Sequence, residues 1–261
     1  MTSSDYTKVA HPPIEYFGAW LFDMDGVLTR TALVHATAWK QAFDEFLRRE
    51  SIRTGRTYQP FDKEGDYEKY VDGEPREDGV RHFLAARGIT LPEGDAGDTL
   101  DDETVKGVGN YKNSLVGEVI ATQGVKVYEG AVTLIHQLRA WKKKVAVVSA
   151  SENTVSALKS AGILDLFDAR VDGLVVKAKN LKGKPAPDSY EEGARLVKVA
   201  PSLCVVVEDA LAGVQAGRAG NFGLVVGVDN HDTPRTTSYA DQLKSHGADI
   251  VVTDLSSLLS K

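Results

Sequence analysis

The sequence predicts an α/β fold: a doubly wound, Rossmann-like parallel sheet carrying an inserted all-helical cap. Three observations point there. Short apolar runs, among them Ala19-Trp20-Leu21-Phe22, Val145-Ala146-Val147-Val148 and Leu203-Cys204-Val205-Val206-Val207, are separated by helical patterns, and strands alternating with helices imply parallel pairing with right-handed crossovers. Between about residues 33 and 120 no strand signal interrupts the helical spacing. Polar residues gather directly after several apolar runs, at the strand ends where open α/β sheets collect ligands. The predicted division is a core of residues 1–33 and 122–261 with a cap over 34–121.

Residues 1–16 are polar, include Pro12-Pro13, and read as a tail. The first strand runs into Asp23-Met24-Asp25-Gly26, where glycine lets the chain turn. From Leu33 to about Arg49, His35, Trp39, Ala42 and Phe46 fall three or four apart, the spacing of one helix face. Residues 51–78 are aromatic and charged without long aliphatic runs, and Gly73 and Pro75 shape a loop before a helix that begins at Arg76 to Asp78. That helix stops at Arg87-Gly88. The acidic stretch 93–103 reads as a solvated loop, and Val105 to Ala121 as another helix.

After Gly124 the alternation resumes. A helix over Ala131 to Trp141 precedes the strand Val145 to Val148, and a helix carrying Val155, Leu158 and Ala161 follows it. Asp168 to Val171 and Leu174 to Val176 are short strand candidates. Lys182 to Asp188 forms a stiff loop with two prolines that opens a helix near Ser189. The strand Leu203 to Val207, the helix Leu211 to Arg218, the strands Leu224 to Val226 and Ile250 to Val252, and a short helix over Leu255 to Leu259 complete the chain.

Composition narrows the function. At 261 residues, with 42% hydrophobic and 26% charged, the chain suits a globular protein with a large core. A formal net charge of −6 argues against a nucleic-acid-binding surface. The single cysteine, Cys204, excludes an intrachain disulfide and lies in an apolar run, as a buried inert thiol does. The N-terminus lacks a signal-peptide pattern, and no apolar run approaches the ~20 residues that span a bilayer. A cytoplasmic monomer without a membrane partner is the expectation.

Four places carry side chains suited to phosphate or metal chemistry. Asp23 and Asp25 share a strand face. Two crowded carboxylates require a cation or a shared proton. Ser149-Ala150-Ser151 ends a strand before a helix start, where hydroxyls and free N–H groups attract anions. Lys184, held between Gly183 and Pro185, supplies a positive charge. Glu208 and Asp209 end another strand and add carboxylates for the same cation. Hard oxygen donors favour magnesium. An aspartate free to attack phosphorus makes phosphoryl transfer through an aspartyl-phosphate the chemistry to test.

This set, in this order, resembles the haloacid dehalogenase superfamily, and the insertion matches its helical-cap subclass. Phe22-Asp23-Met24-Asp25-Gly26-Val27-Leu28-Thr29 with Thr31, His35 and Trp39, then Ser149-Ala150-Ser151 with Asn153, Gly183 to Asp188, and Glu208 to Ala216, is similar to the β-phosphoglucomutase-like subfamily. The resemblance implies Asp23 as nucleophile and Asp25 as acid/base. It implies Mg2+ on Asp23, the Asp25 main-chain carbonyl and Asp209, with Glu208 beside it. Ser149, Ala150 and Lys184 would bind the transferring phosphate. Thr31, His35, Gly73, Arg76, Lys112, Ser151 and Asn153 would meet a small phosphorylated sugar, with Arg76 gripping its distal phosphate. Glu152 departs from the subfamily, which carries lysine there, and Arg30 replaces an acidic residue. The implied reaction is sugar-phosphate isomerisation. Its alternatives are hydrolysis of a small phosphomonoester and a non-catalytic domain, the latter disfavoured because Asp23 and Lys184 are present.

Overall fold

The computed structural model describes residues 13–230 and 239–260. Most of the tail lies outside these residues. Its centre is β1 (Ala19–Phe22), every residue of which is buried. Parallel partners flank it: β2 (Lys144–Val148) on one side and β4 (Cys204–Glu208) on the other. β3 (Ala169–Val171) lies outside β2, while β5 (Leu224–Val228) and β6 (Ile250–Val252) extend the other half, giving the order β3-β2-β1-β4-β5-β6. The register aligns Phe22 with Val147 and with Val207, so β1, β2 and β4 finish at nearly one level.

The two-residue period of strands sorts the core into two layers. Trp20, Phe22, Val145, Val147, Val205 and Val207 pack on Leu134, Ile135 and Leu138 of α5 (Glu129–Ala140) and on Leu158 of α6 (Thr154–Ser160). Ala19, Leu21, Ala146, Val148, Cys204 and Val206 face the other way, onto Tyr190, Ala194 and Val197 of α8 (Asp188–Val197). The sheet is therefore doubly wound, as the alternation predicted, and continuous apolar strands are what burial on both faces demands. α9 (Leu211–Ala219) and α10 (Tyr239–Ser245) close the half beyond β4 through Val214 and Leu243.

Between β1 and β2 lie α1 (Ala32–Thr54), α2 (Gly65–Tyr70), α3 (Arg76–Ala86) and α4 (Val105–Gln123), with no strand among the residues from Ala32 to Gln123. They build a separate apolar cluster around stacked rings. Trp39 and Phe43 lie 4.9 Å apart between centroids, and Phe43 and Phe83 lie 4.1 Å apart. α4 serves both layers: Val105 and Val108 enter the helical cluster, while Val116 and Ile120 enter the sheet-side cluster.

Two local expectations are corrected. Leu174 to Val176 is not a strand but part of α7 (Gly173–Ala178), because Asp172 Oδ1 accepts a hydrogen bond from the Val175 N–H at 2.9 Å and caps a helix start. α1 continues past Arg49 to Thr54, where Gly55 in the left-handed region terminates it. α2 and α10 carried no periodic aliphatic signal.

Candidate active site

The ends of β1, β2 and β4 converge on one cavity of about 800 Å³. Asp23 continues the β1 register, its N–H donating to Val207 O at 2.9 Å, and Ser149 does the same after β2, donating to Val171 O at 2.9 Å. Gly26 has φ of +82°, and a Cβ there would strike the Asp209 carboxylate, so the turn after Asp25 admits only glycine without displacement.

Lys184 is the hub. It is 4% exposed, and its ammonium donates to Asp23 Oδ1 at 2.6 Å, to Glu208 Oε1 at 2.5 Å and to Val148 O at 3.3 Å. Burial pulls this ammonium toward losing its proton, but the charges of Asp23 and Glu208 outweigh burial and hold it protonated above its ordinary range. Burial pushes the Asp23 carboxyl well up, against the opposing pull of Lys184. Glu208 is fully buried and engaged on both oxygens. Oε1 also accepts from the Tyr190 hydroxyl at 2.7 Å, while Oε2 accepts from the N–H groups of Asp209 and Ala210 at 3.1 and 3.2 Å.

Asp23, Glu208 and Asp209 each place a carboxylate oxygen within 4.8 Å of the others. Three hard donors against one ammonium leave a buried negative excess, which suits a small divalent cation. The close fit of Gly26 beside Asp209 keeps that space open. The residues therefore fit magnesium, with Asp23 and Asp209 the better donors because Glu208 is committed to Lys184, Tyr190 and two backbone N–H groups.

Asp25 stands apart from that cluster. Its Oδ1 accepts from the Thr31 hydroxyl and lies 3.5 Å from His35 Nε2. His35 Nδ1 meets Lys112 Nζ at 3.0 Å, and Lys112 lies over the Trp39 ring at 4.7 Å from its centroid. Burial and the Lys112 charge lower His35 to about 4, so the ring is neutral at pH 7. Burial lowers Lys112 to about 7 despite the attraction of Asp25. With Nδ1 accepting from Lys112, the His35 proton sits on Nε2 and points to Asp25.

Of the residues singled out in the sequence, Asp23, Asp25, His35, Gly73, Arg76, Lys112, Ser149, Ala150, Ser151, Lys184 and Asp209 line the cavity. Thr31, Asn153 and Glu208 do not line it. Thr31 is buried against Thr29 and Asp25, Asn153 donates to Asn113 of α4 at 2.7 Å, and Glu208 lies beneath Lys184. Gly73 contributes backbone: its φ is +73°, and a Cβ would sit 3.0 Å from Ala210 Cβ. Ser149 Oγ accepts from the Ser151 N–H and Ser151 Oγ from the Asn153 N–H, each at 3.1 Å, which fixes the turn after β2. Sequence reasoning missed Tyr190 and Lys177. Tyr190 carried no signal beyond its apolar helix face.

The family model for haloacid dehalogenase-like hydrolases matches residues 18–221, and the chain belongs to that family. It is an enzyme, a phosphotransferase or phosphatase. A β-phosphoglucomutase of Mycobacterium tuberculosis is 47% identical over 241 residues, covering 92% of this chain and 91% of the relative. The Bacillus subtilis β-phosphoglucomutase is 30% identical over 80% of this chain and 83% of its own. Among solved structures, a β-phosphoglucomutase from Clostridium difficile superposes with a TM-score of 0.67 at 26% identity, over 93% of each chain.

Proposed function

We propose that the chain isomerises β-D-glucose 1-phosphate and glucose 6-phosphate by magnesium-dependent phosphoryl transfer through an aspartyl-phosphate. The observation that carries this reading is one cavity lined both by the Asp23–Lys184 pair and by Arg76 and Lys112 of the helical layer. A site with cations beyond the Asp23–Lys184 pair can hold a sugar that carries phosphate at either end. In this reading residues 34–121 act as a cap over a core of 1–33 and 122–261, and the Mycobacterium tuberculosis relative supports the choice of reaction.

The Asp23 carboxylate attacks phosphorus. The bond from phosphorus to the sugar oxygen breaks, and that oxygen takes a proton from Asp25. Lys184, Ser149 and the Ala150 backbone hold the equatorial oxygens as charge spreads over them. Glu208 and Tyr190 fix Lys184 rather than touch substrate. Asp23, the Asp25 carbonyl and Asp209 would hold magnesium, which would supply charge neutralisation at the transferring phosphate. Thr31 and His35 orient the Asp25 carboxyl toward the leaving oxygen. From a 1,6-bisphosphate this leaves the aspartyl-phosphate, which the 6-hydroxyl of β-glucose 1-phosphate attacks, losing its proton to Asp25 and freeing Asp23. The new bisphosphate turns over, gives its 1-phosphoryl group to Asp23 and leaves as glucose 6-phosphate. Gly73, Ser151 and Asn153 shape the sugar's surroundings.

The test supplies β-glucose 1-phosphate, magnesium and a trace of the 1,6-bisphosphate, and follows glucose 6-phosphate and free phosphate together. Isomer without phosphate release supports the reading; phosphate release alone overturns it. Asp23→Asn is expected to abolish turnover, and Asp25→Asn to lower it by about 10³-fold or more, since general acid–base catalysis contributes 10²–10⁴-fold. Hydrolysis of a sugar phosphate, with water as second acceptor, is a second reading. The Arg76–Glu152 ion pair favours it, because a carboxylate already occupies the guanidinium that a distal phosphate would use.

A further inference from the structure

The cavity that holds Asp23 also carries a charge arrangement that phosphoryl transfer alone leaves without a purpose. Arg76, at the start of α3, is gripped by two carboxylates: Nη1 donates to Glu152 Oε2 at 3.0 Å and Nη2 to Glu77 Oε1 at 3.1 Å. Glu152 belongs to the turn after β2, so the first of these bonds joins the helical layer to the sheet layer. The other Glu152 oxygen lies 3.7 Å from Lys177 Nζ on α7. Two glycines make these approaches fit. A Cβ on Gly173 would sit 3.0 Å from the Glu152 backbone nitrogen, and one on Gly109 of α4 would sit 3.2 Å from Arg76 Nε and 3.3 Å from its stem. Arg76, Lys177, Glu77 and Glu152 together carry no net charge, and all four line the cavity. Arg76 Nε is buried and meets no acceptor.

We infer that Glu152 is an internal competitor for Arg76, occupying in the free enzyme the place of a second phosphate on the substrate and so determining which sugar phosphates are held. The inference rests on the phosphoryl-transfer reading. The guanidinium fork matches one oxyanion plane at a time on the side facing Glu152, so carboxylate and phosphate exclude one another there. A phosphate brought against an undisplaced Glu152 meets a like charge. A distal phosphate must therefore displace Oε2 from Arg76, and Lys177 stands ready to keep the released carboxylate. A ligand with only hydroxyl groups at its far end leaves the ion pair intact. Discrimination thus depends on the charge at the distal end of the substrate, set by a side chain of the sheet layer acting on an arginine of the helical layer.

The test is a calorimetric comparison of glucose 1,6-bisphosphate with inorganic phosphate, in magnesium, on an Asp23→Asn background that stops transfer during the titration. Inorganic phosphate reports on the Asp23 end alone. With Glu152→Gln, the ratio of bisphosphate to phosphate affinity is expected to rise about tenfold, as removal of a like charge from a desolvated contact would give. Combined with Arg76→Ala, the same substitution is expected to change that ratio less than twofold, because the competitor then has nothing to release. An unchanged or lowered ratio with Glu152→Gln, or an equal rise without Arg76, overturns the inference while phosphate binding still upholds the reading beneath it. Absence of phosphate binding in the Asp23→Asn protein and in the unaltered enzyme removes both.

Discussion

Lys184 keeps its proton in a dry setting only because Asp23 and Glu208 surround it, and Glu208 holds its place through the hydroxyl of Tyr190. Tyr190→Phe removes that bond without changing shape. A hydrogen bond to a charged group contributes about 1.5–3 kcal/mol, so kcat is expected to fall about tenfold or more with little change in KM; an unaltered kcat removes the positioning role. Lys112 gives a pH-dependent test. Burial lowers it to about 7, below its unfolded value of about 10.4. Between those values the unfolded chain binds the extra proton, so this group makes stability rise with pH from about 7 to 10 and penalises folding fully below 7. The urea midpoint of the wild type is therefore expected to gain on that of Lys112→Met across this interval; a constant difference contradicts it. Asp23, Asp25 and Asp209 were legible because they follow apolar runs that must be strands, and Lys184 because Gly183 and Pro185 mark a stiff loop. Tyr190 was not, since its partner lies 18 residues away and its helix face reads as ordinary core. The Arg76–Glu152 pair spans 76 residues, and no local pattern announces it.

The loop from Val71 to Pro75 lines the cavity where the helical layer meets the sheet layer. Gly73 lies against Ala210 after β4, and Pro75 lies against Gly183 beside Lys184, so the helical layer touches the sheet layer at one strand end and at the Lys184 loop. Gly73→Val adds bulk at a left-handed residue, where an L side chain costs about 1–2 kcal/mol. Such a variant is expected to fold, with a Tm lowered by several degrees, while kcat/KM falls about a hundredfold; near-normal kcat/KM would mean that this approach is dispensable. At this scale the strands and long helices were readable because burial on two faces or on one stripe leaves a period in the sequence. α7 was misread because Leu174-Val175-Val176 favours a strand by side-chain type, whereas the Asp172 cap decides for a helix. α2 was missed for a different reason: its only fully buried side chain is Tyr67, so no stripe exists to read.

The whole molecule brings three carboxylates together, two of them paired with the Lys184 ammonium. Removing divalent metal with a chelator is expected to abolish turnover, and returning Mg2+ to restore it and raise Tm, since a ligand bound only by the native state stabilises that state. Full activity in the chelated enzyme would sink the metal assignment. The sheet order has a further consequence, for biosynthesis rather than catalysis. β1 lies in the middle, yet its two neighbours are β2, more than 120 residues later, and β4, nearly 190 residues later. A nascent chain grows from its N-terminus, and pairings so distant in sequence close late. Asp23 is therefore made long before Glu208 and Asp209, and the three carboxylates can be brought together only after residue 209 has followed.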